Sequence, residues 1–270
     1  MSIRIDAKAI ATRNQKMEAE NALKWAVEND GFVVFYQPIY SIPKGKISAL
    51  EALVRIVDKD GRMFFPDTFI PVAEKNGMIL KLGDCVLRKV CEFMRTQKLD
   101  QLGIEYVEVN LSAIQCMQVD LASQFLDIMA EQQIPPHRIN LEITETAALT
   151  SKKILLRNME QLMAVGTTFS LDDYGNGYSS LSYVLKLPVH FIKLDKDMVW
   201  SYFTNPKAAV VMRYEVAMMH DLGLYIVAVG VEDENQYMAM KELGIDYIQG
   251  YYFSKPVPPD ALLDFLKNWM

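Results

Sequence analysis

Polar residues close the hydrophobic, strand-like runs along this chain. Helix-prone stretches separate the runs, and such alternation is typical of a (β/α)₈ barrel. The carboxyl ends of the strands meet at one mouth of such a barrel, so the closing residues are predicted to form a single polar site. Carboxylates, amides and an ammonium group would meet there, a set suited to divalent cations and phosphoryl chemistry. The closing residues are Glu51, Asn110, Glu142, Asp172, Asp173, Lys193 and Gln249.

The first two runs depart from a plain β-α repeat. Residues 32–40 and 46–56 are separated only by a short link that contains the turn residues Pro43 and Gly45. Parallel neighbours need a long crossover, so this link predicts an antiparallel hairpin. The hairpin brings the barrel to about eight strands, the others at 105–111, 138–143, 168–172, 190–194, 224–229 and 246–250. Helices are predicted near 66–76, 83–97, 119–132, 151–165, 207–221 and 233–243. One further helix is predicted to end at 186, and the last is predicted to start at Pro259.

Composition narrows the class of protein. The chain has 270 residues, of which 51% are hydrophobic, enough for one barrel domain with a sizeable core. Its net charge of -6 argues against binding to a nucleic-acid polymer, which requires a basic face. No apolar run is long enough to span a bilayer and the first residues lack a signal-peptide core, so we expect a soluble, cytoplasmic domain.

The two ends of the chain differ in character. Residues 1–16 are expected to be a linker or the end of an upstream segment, with a frayed terminus as the alternative. Residues 17–270 are expected to form the barrel domain, which begins with a helix.

The three cysteines lack metal-ligand spacing and are expected to be reduced thiols.

A series of short motifs follows the same order as in a known family. The chain resembles the EAL family of cyclic di-GMP phosphodiesterases from about residue 20 to residue 258. The resemblance implies a modified (β/α)₈ barrel with one antiparallel strand. It is carried by YQPIY at 36–40, EALVR at 51–55, FIPVAEKNGMI at 69–79, VNLS at 109–112, LEITET at 141–146, LDDYGNGYSSL at 171–181, IKLDK at 192–196, GVE at 230–232 and QGYYFSKP at 249–256.

The resemblance also implies a set of metal ligands. A first Mg²⁺ or Mn²⁺ would be held by Glu51, Asn110, Glu142 and Asp172, with Asp172 shared and Asp173 facing a second ion. For any one of these residues the alternative is a strand-end cap or a surface ion pair. Together, however, carboxylates aimed at one point repel each other unless a cation neutralises them or some bind protons. Ca²⁺ is expected to bind without supporting turnover, because its longer bonds position water poorly.

Other residues are implied to act on the ligand. Lys193 would face the attacking water or the developing charge on phosphate, or simply neutralise Asp172 or Asp173. Arg55 shares a strand face with Glu51 and would reach a phosphate, with a buried arginine–carboxylate pair as the alternative. Gln249 would bind a metal-bound water or a ligand oxygen, or cap a loop. Glu232 is expected to support the site from its loop. Contacts to the guanine bases are assigned to Gln37, Leu53 and Tyr252, with a purely structural position in the barrel wall as the alternative for Tyr252.

One position departs from the family's pattern and leaves two functions open. The family reads Ala-Glu-Gly-Val-Glu where this chain has Ala228-Val229-Gly230-Val231-Glu232. Val229 offers no oxygen, so the second metal site should be weakened. The first function is hydrolysis of cyclic di-GMP to linear pGpG by a two-metal mechanism, at a reduced rate. The second is a receptor that binds cyclic di-GMP without hydrolysing it.

The resemblance implies partners beyond the dinucleotide. The segment after Asp172 supplies the second-metal aspartate and is expected to couple to a homodimer interface made by the following helix. A sensory or GGDEF-type domain upstream is also expected. No membrane contact is expected from this chain.

Overall fold

The structure is a computed structural model that describes residues 7–144, 152–175 and 181–269. The described strands form one 9-stranded sheet. They are β1 Phe32–Ser41, β2 Lys46–Val57, β3 Met63–Phe64, β4 Tyr106–Leu111, β5 Ile139–Thr144, β6 Thr168–Tyr174, β7 Phe191–Leu194, β8 Tyr225–Val229 and β9 Tyr247–Gln249.

Helices alternate with these strands. They are α1 Ala7–Asn29, α2 Pro66–Asn76, α3 Ile79–Thr96, α4 Ala113–Cys116, α5 Leu121–Glu131, α6 Lys152–Met163, α7 Leu181–Val184, α8 Lys196–Thr204, α9 Pro206–Asp221, α10 Glu234–Leu243 and α11 Pro259–Trp269. A short 3₁₀ turn at Pro136–Arg138 leads into β5. No helix among the described residues is both long and apolar enough to cross a membrane.

The sheet closes on itself through its first strand. β1 pairs with β2 on one side and with β9 on the other, and it runs antiparallel to both. The successive pairs from β2–β4 to β8–β9 are all parallel. β3 is added only to the edge of β2, so the remaining strands form the wall. The predicted barrel with one antiparallel strand is therefore confirmed.

An apolar layer fills the barrel near the amino ends of the parallel strands. Its buried side chains come from six strands and exclude water from this end of the barrel. Glu51, Glu108 and Lys193 each lie two residues after a member of this layer on the same strand, so these charged groups lie toward the opposite mouth. The layer consists of Ile39, Ala49, Tyr106, Phe191, Val227 and Tyr247.

Several elements differ from the sequence prediction. The predicted helix at 83–97 begins earlier, at Ile79, and α4, α8 and β3 were not predicted. α8 and α9 are two helices because the Asn205 side chain caps the amino end of α9 and Pro206 occupies its first turn. The predicted boundary after residue 16 lies within α1 and stays a prediction. Residues 176–180 of the predicted segment after Asp172, and the predicted helix start at 151, lie outside the described residues.

Gly250 allows the end of β9 to pack against the loop after β8. The Gln249 carbonyl accepts hydrogen bonds from the N–H groups of Gly230, at 2.8 Å, and Val231, at 3.4 Å. A Cβ on Gly250 would lie only 2.0 Å from the Val231 carbonyl oxygen. A larger residue at position 250 would therefore push apart the two strand ends that border the barrel mouth.

We expect Gly250→Ala to lower the free energy of unfolding by about 3 kcal/mol, because it forces a side chain against backbone atoms. Gly61→Ala is the matched control, since position 61 has φ of +76° but no atom near the added Cβ. That control should cost about 1 kcal/mol through left-handed strain alone. Urea unfolding of the three proteins measures the difference. Equal losses in the two variants would show that the close approach does not matter.

Candidate functional site

The strand register brings charged residues together inside the barrel mouth. Glu51 on β2 lies beside Glu108 on β4, and Asn110 on β4 lies beside Glu142 on β5. Lys193 enters from β7, on the opposite side of the wall. The three glutamates and the lysine are buried, whereas Asn110 is exposed. The predicted convergence of Glu51, Glu142 and Lys193 is thus seen in the structure.

Lys193 is the centre of this cluster. Its Nζ lies 2.8 Å from Glu142 Oε2, 3.2 Å from Glu108 Oε2 and 3.3 Å from Glu51 Oε2. Burial alone lowers the pKa of Lys193, but the surrounding carboxylates outweigh it and raise that pKa well above its ordinary value. Lys193 therefore stays protonated as a fixed ammonium group.

The carboxyl groups share one positive charge unequally. Burial and the nearby Asp172 carboxylate raise the pKa of Glu142 well above its ordinary value. The pKa of Glu108 is also raised, mainly by burial. Burial acts in the same direction on Glu51, yet contacts from Lys193, Gln249 and Asn110 outweigh it and lower the pKa of Glu51. Glu108 and Glu142 therefore hold their protons to higher pH than ordinary glutamates do, whereas Glu51 does not.

The oxygens of the cluster fit a divalent cation. Atoms from Glu51, Glu108 and Glu142 lie within 4.8 Å of one another. Glu142 Oε1 is buried and has no hydrogen-bond partner among the described residues, so it is available to a cation. Carboxylate and amide oxygens are the ligands that Mg²⁺ and Mn²⁺ prefer. The chemistry of the donor set therefore matches the predicted metals.

Two glutamines fix Glu51 from the side of the antiparallel strand. Gln249 Nε2 donates hydrogen bonds to Glu51 Oε2 and, at 3.1 Å, to Gln37 Oε1. Gln37 Nε2 in turn donates to the Ser254 carbonyl at 3.2 Å. Asn110 Nδ2 donates to the other oxygen of Glu51 at 2.9 Å. The structure thus shows Gln249 as a hydrogen-bond partner of Glu51 and Gln37 as a partner of Gln249, while their predicted ligand contacts stay predictions.

The residues predicted at the second metal are more dispersed. Asp172 is half-buried, and Asp173 is exposed with a left-handed φ of +56°. Val229 pairs with Gln249 across β8 and β9 and packs against the apolar layer. Glu232 is exposed on the following loop. The structure therefore places no carboxylate at position 229 to complete a second metal site.

Comparison with known proteins identifies the chain. The family model described as "EAL domain" matches residues 20–256. This chain belongs to the EAL domain family. EAL domains are metal-dependent, in agreement with the buried carboxylates around Lys193.

Relatives of this EAL domain include signalling proteins and phosphodiesterases. The signaling protein YkoW of Bacillus subtilis is 35% identical over 93% of this chain and 31% of its own length. The cyclic di-GMP phosphodiesterase NbdA of Pseudomonas aeruginosa is 33% identical over 94% of this chain and 33% of its own length. The chain thus spans about a third of the length of these curated relatives.

Two solved structures have a similar fold. The phosphodiesterase PaMucR in complex with c-di-GMP matches with a TM-score of 0.84 and 33% identity, over 91% of this chain and 99% of that one. The EAL enzyme Bd1971, bound to cAMP and cyclic di-GMP, matches with a TM-score of 0.86 and 26% identity, over 96% of this chain and 72% of that one.

Arg55 of this EAL domain is buried beside the cluster. Its Nη1 donates to the Val54 carbonyl at 2.9 Å, and its guanidinium lies over the rings of Phe35 and Phe65, 5.6 and 5.2 Å from their centroids. Burial lowers the pKa of Arg55, partly offset by Glu51. No described carboxylate forms an ion pair with Arg55, so the alternative of a buried arginine–carboxylate pair finds no support within the described residues.

A cavity of about 570 Å³ opens beside Glu51 and Asn110. Leu53, Ile70 and Pro71 line it, which gives it largely apolar walls. The carboxyl groups of Asp67 and Glu74 also lie on its lining.

Tyr252 lies outside the lining of this cavity, and it is 36% exposed. Its ring stacks on Tyr237 at 5.4 Å and meets Phe253 edge-on at 5.0 Å. The structure therefore brings Leu53 to the cavity but packs Tyr252 into an aromatic cluster.

Sequence analysis missed Glu108. The residue lies inside the run EYVEV, and the prediction considered only residues that close such runs. Side chains alternate along a strand, so the residue two positions before Asn110 had to share its face. A charged residue at such a position was the signal available.

The raised pKa of Glu142 predicts how metal-free stability depends on pH. The unfolded chain loses this proton near 4.5, whereas the folded protein keeps it to higher pH. The folded state binds more protons in that window, so its stability must fall as the pH rises. Glu142→Gln removes the titrating group at this position and should make the fall in stability with pH less steep. Urea unfolding between about pH 5 and pH 8 in EDTA measures both slopes.

Glu105→Gln provides the control for this measurement, because Glu105 is exposed and pairs with Lys44 at the surface. Its slope should match that of the parent protein. The expectation would be contradicted if the stability of the parent protein did not fall more steeply with pH than that of Glu142→Gln.

Proposed function

We propose that this EAL domain binds cyclic di-GMP at the barrel mouth and hydrolyses it to linear pGpG with divalent metal ions. The observation that carries the proposal is the buried cluster of Glu51 and Glu142 around Lys193, in which Glu142 Oε1 has no partner from residues 7–144, 152–175 and 181–269. Relatives named as cyclic di-GMP phosphodiesterases, 33% identical over more than nine-tenths of this chain, support the choice of substrate.

In this proposal Glu51, Asn110, Glu142 and Asp172 hold a first Mg²⁺ or Mn²⁺, and Asp173 contributes to a second. Bound metal would polarise the phosphodiester and lower the pKa of a water molecule. Glu142 offers its unpartnered oxygen, while Gln249 and Asn110 orient Glu51. Ca²⁺ would occupy the site without supporting turnover, since its bonds are longer and its geometry looser.

Lys193 stabilises negative charge and does not accept a proton. Its pKa is raised well above the ordinary value, so the amine has no basic form at neutral pH. The ammonium group is held by the carboxyl groups of Glu51 and Glu142, the proposed metal ligands. It therefore acts by position, as a preorganised positive charge near the phosphate.

The cavity beside Glu51 suits a guanine base. A purine has apolar faces, which match the walls formed by Leu53, Ile70 and Pro71. Guanine carries donor groups on one edge, and the carboxylates of Asp67 and Glu74 are acceptors. Arg55 lacks an anionic partner among the described residues and is proposed to bind a phosphate of the same ligand. Gln37 and Tyr252 stay predictions as further contacts to the bases, and Glu232 as a supporting residue.

Val229 favours a second candidate function. Its side chain packs on the apolar layer where a carboxylate would have supplied an oxygen to the second metal. Loss of that ligand weakens a reaction that depends on two ions. The alternative is a receptor that binds cyclic di-GMP without hydrolysing it and passes its occupancy to a partner domain.

We also propose a homodimer and an upstream domain. Large apolar side chains are exposed along α8 and α9, namely Trp200, Phe203, Val210, Val211 and Tyr214, and such a patch fits a protein interface. Two relatives are named as a bifunctional diguanylate cyclase/phosphodiesterase and as an oxygen sensor, and this chain spans 37% and 31% of them. A GGDEF-type or sensory domain upstream of residues 1–16, the predicted linker, is proposed by analogy, and the cytoplasmic location stays a prediction.

Arg55→Ala should weaken binding of cyclic di-GMP by about 2 to 5 kcal/mol if the guanidinium forms a desolvated pair with phosphate. Arg55→Lys should recover only part of the loss, because an ammonium group cannot form two parallel hydrogen bonds. Calorimetric titration in Ca²⁺ measures affinity without turnover. Arg88→Ala is the control, since Arg88 pairs with Glu131 on the exterior. An Arg55→Ala affinity within twofold of the parent protein would show that Arg55 is purely structural.

Val229→Glu should increase hydrolysis of cyclic di-GMP at least tenfold, equivalent to about 1.4 kcal/mol of barrier. The new carboxylate would supply an oxygen beside Gln249, the cross-strand neighbour of position 229. Val229→Gln has the same size without the charge and should not reproduce the gain. Single-turnover assays with Mn²⁺ measure all three rates. If the parent protein hydrolyses cyclic di-GMP rapidly and Val229→Glu is no faster, another group supplies the missing metal ligand. If none of the proteins hydrolyses cyclic di-GMP but all bind it tightly, the receptor function is favoured.

A further inference from the structure

Glu108 is a fully buried carboxyl group that the proposed reaction does not use. It lies on β4 two residues before Asn110 and has 0% exposed surface. Its Oε2 lies 3.2 Å from Lys193 Nζ, which makes it one of three carboxylates around that ammonium group. A buried charge is costly unless it is paired, so its position requires an explanation.

A chain of hydrogen bonds holds Glu108 below the mouth. Ser170 Oγ lies 3.2 Å from Glu108 Oε1 and 2.8 Å from Asn140 Oδ1. Asn140 Nδ2 donates to Thr168 Oγ1 at 2.9 Å. These contacts connect β4, β5 and β6 and anchor the carboxyl group away from the solvent-exposed rim. Glu51 instead receives its hydrogen bonds from Asn110 and Gln249, so the two carboxylates are held by different groups.

The cluster presents a conflict between two cations. Lys193 pairs with Glu51 and Glu142, and these residues are also the proposed metal ligands. A divalent ion bound to the same two carboxyl groups, for example through Glu142 Oε1, draws their negative charge away from Lys193 and adds a like charge nearby. Without another anion, the buried ammonium group would compete with the metal for the same oxygens.

We propose that Glu108 is a positioning residue that holds Lys193 beneath the metal site, so that the ammonium group and a divalent cation occupy the barrel together. An oxygen of Glu108 also lies within 4.8 Å of oxygens of Glu51 and Glu142, but Glu108 is not a metal ligand in this proposal, because Ser170 and Lys193 contact its two oxygens. Its carboxylate remains paired with Lys193 when Glu51 and Glu142 also bind the metal. The inference rests on the proposed binding of metal by Glu51 and Glu142, and it adds a residue outside the sequence motifs of the family.

A double-mutant cycle with Mn²⁺ as the probe tests the inference. Calorimetric titration of Mn²⁺ is performed on the parent protein, Glu108→Gln, Lys193→Met and the double variant. Glu108→Gln keeps the size of the side chain and can still contact Ser170, but it removes the charge. We expect it to weaken Mn²⁺ binding at least tenfold, because Lys193 then holds Glu51 and Glu142. In the Lys193→Met background the same change should alter the affinity less than threefold.

Glu105→Gln is the matched control, because it removes the same charge from an exposed residue that pairs with Lys44. It should bind Mn²⁺ like the parent protein. Melting in EDTA establishes that each variant is folded. If Glu108→Gln does not fold, Glu108→Asp in both backgrounds replaces it, since the shorter side chain withdraws the carboxylate from Lys193.

Three results would overturn the inference in distinguishable ways. Unchanged Mn²⁺ affinity in Glu108→Gln would show that the residue only fills the barrel. An equal loss in the parent and Lys193→Met backgrounds would show that Glu108 is itself a ligand. A parent protein that binds no Mn²⁺ would contradict the proposed function as well, whereas the first two results would leave that function intact.

Discussion

The ion cluster centred on Lys193 is the interaction on which the rest of this domain depends. Its ammonium group lies within 3.3 Å of three buried carboxylates. Removal of Lys193 would leave three buried carboxyl groups without a compensating positive charge unless they bind protons. The surplus of carboxylates is equally important, because together with burial it raises the pKa of Glu142, whose Oε1 has no hydrogen-bond partner within the part of the chain that the structure describes. Stability and metal affinity are therefore set by the same few atoms.

The antiparallel first strand gives the cluster its polar surroundings. β1 closes the barrel between β2 and β9 and places Gln37 opposite Glu51. Gln249, at the end of β9, then reaches both residues. Gly250 follows directly and lets the loop after β8 approach closely. The closure of the barrel and the orientation of Glu51 thus have the same structural cause.

The sequence predicted the wall of the barrel better than its interior. Strands were recognisable because hydrophobic runs ended in polar residues, and the short link at Pro43 and Gly45 identified the hairpin. Glu108 was missed because its partner, Lys193, is remote in sequence and compensates a charge that looks misplaced in an apolar strand. The surroundings of Arg55 could not be predicted either, because the Phe65 ring, from the loop before α2, lies against its guanidinium only in the folded chain.

The central claim is that Lys193 and a divalent metal share the carboxylates of the barrel mouth. Crystals grown with Mn²⁺ and measured for anomalous scattering test it directly. We expect an anomalous peak bonded to Glu142 Oε1, Glu51, Asn110 and Asp172, with Lys193 still paired to Glu108 below it. The absence of a peak at saturating Mn²⁺, or a metal ion bound to Glu108 with Lys193 displaced, would contradict the account.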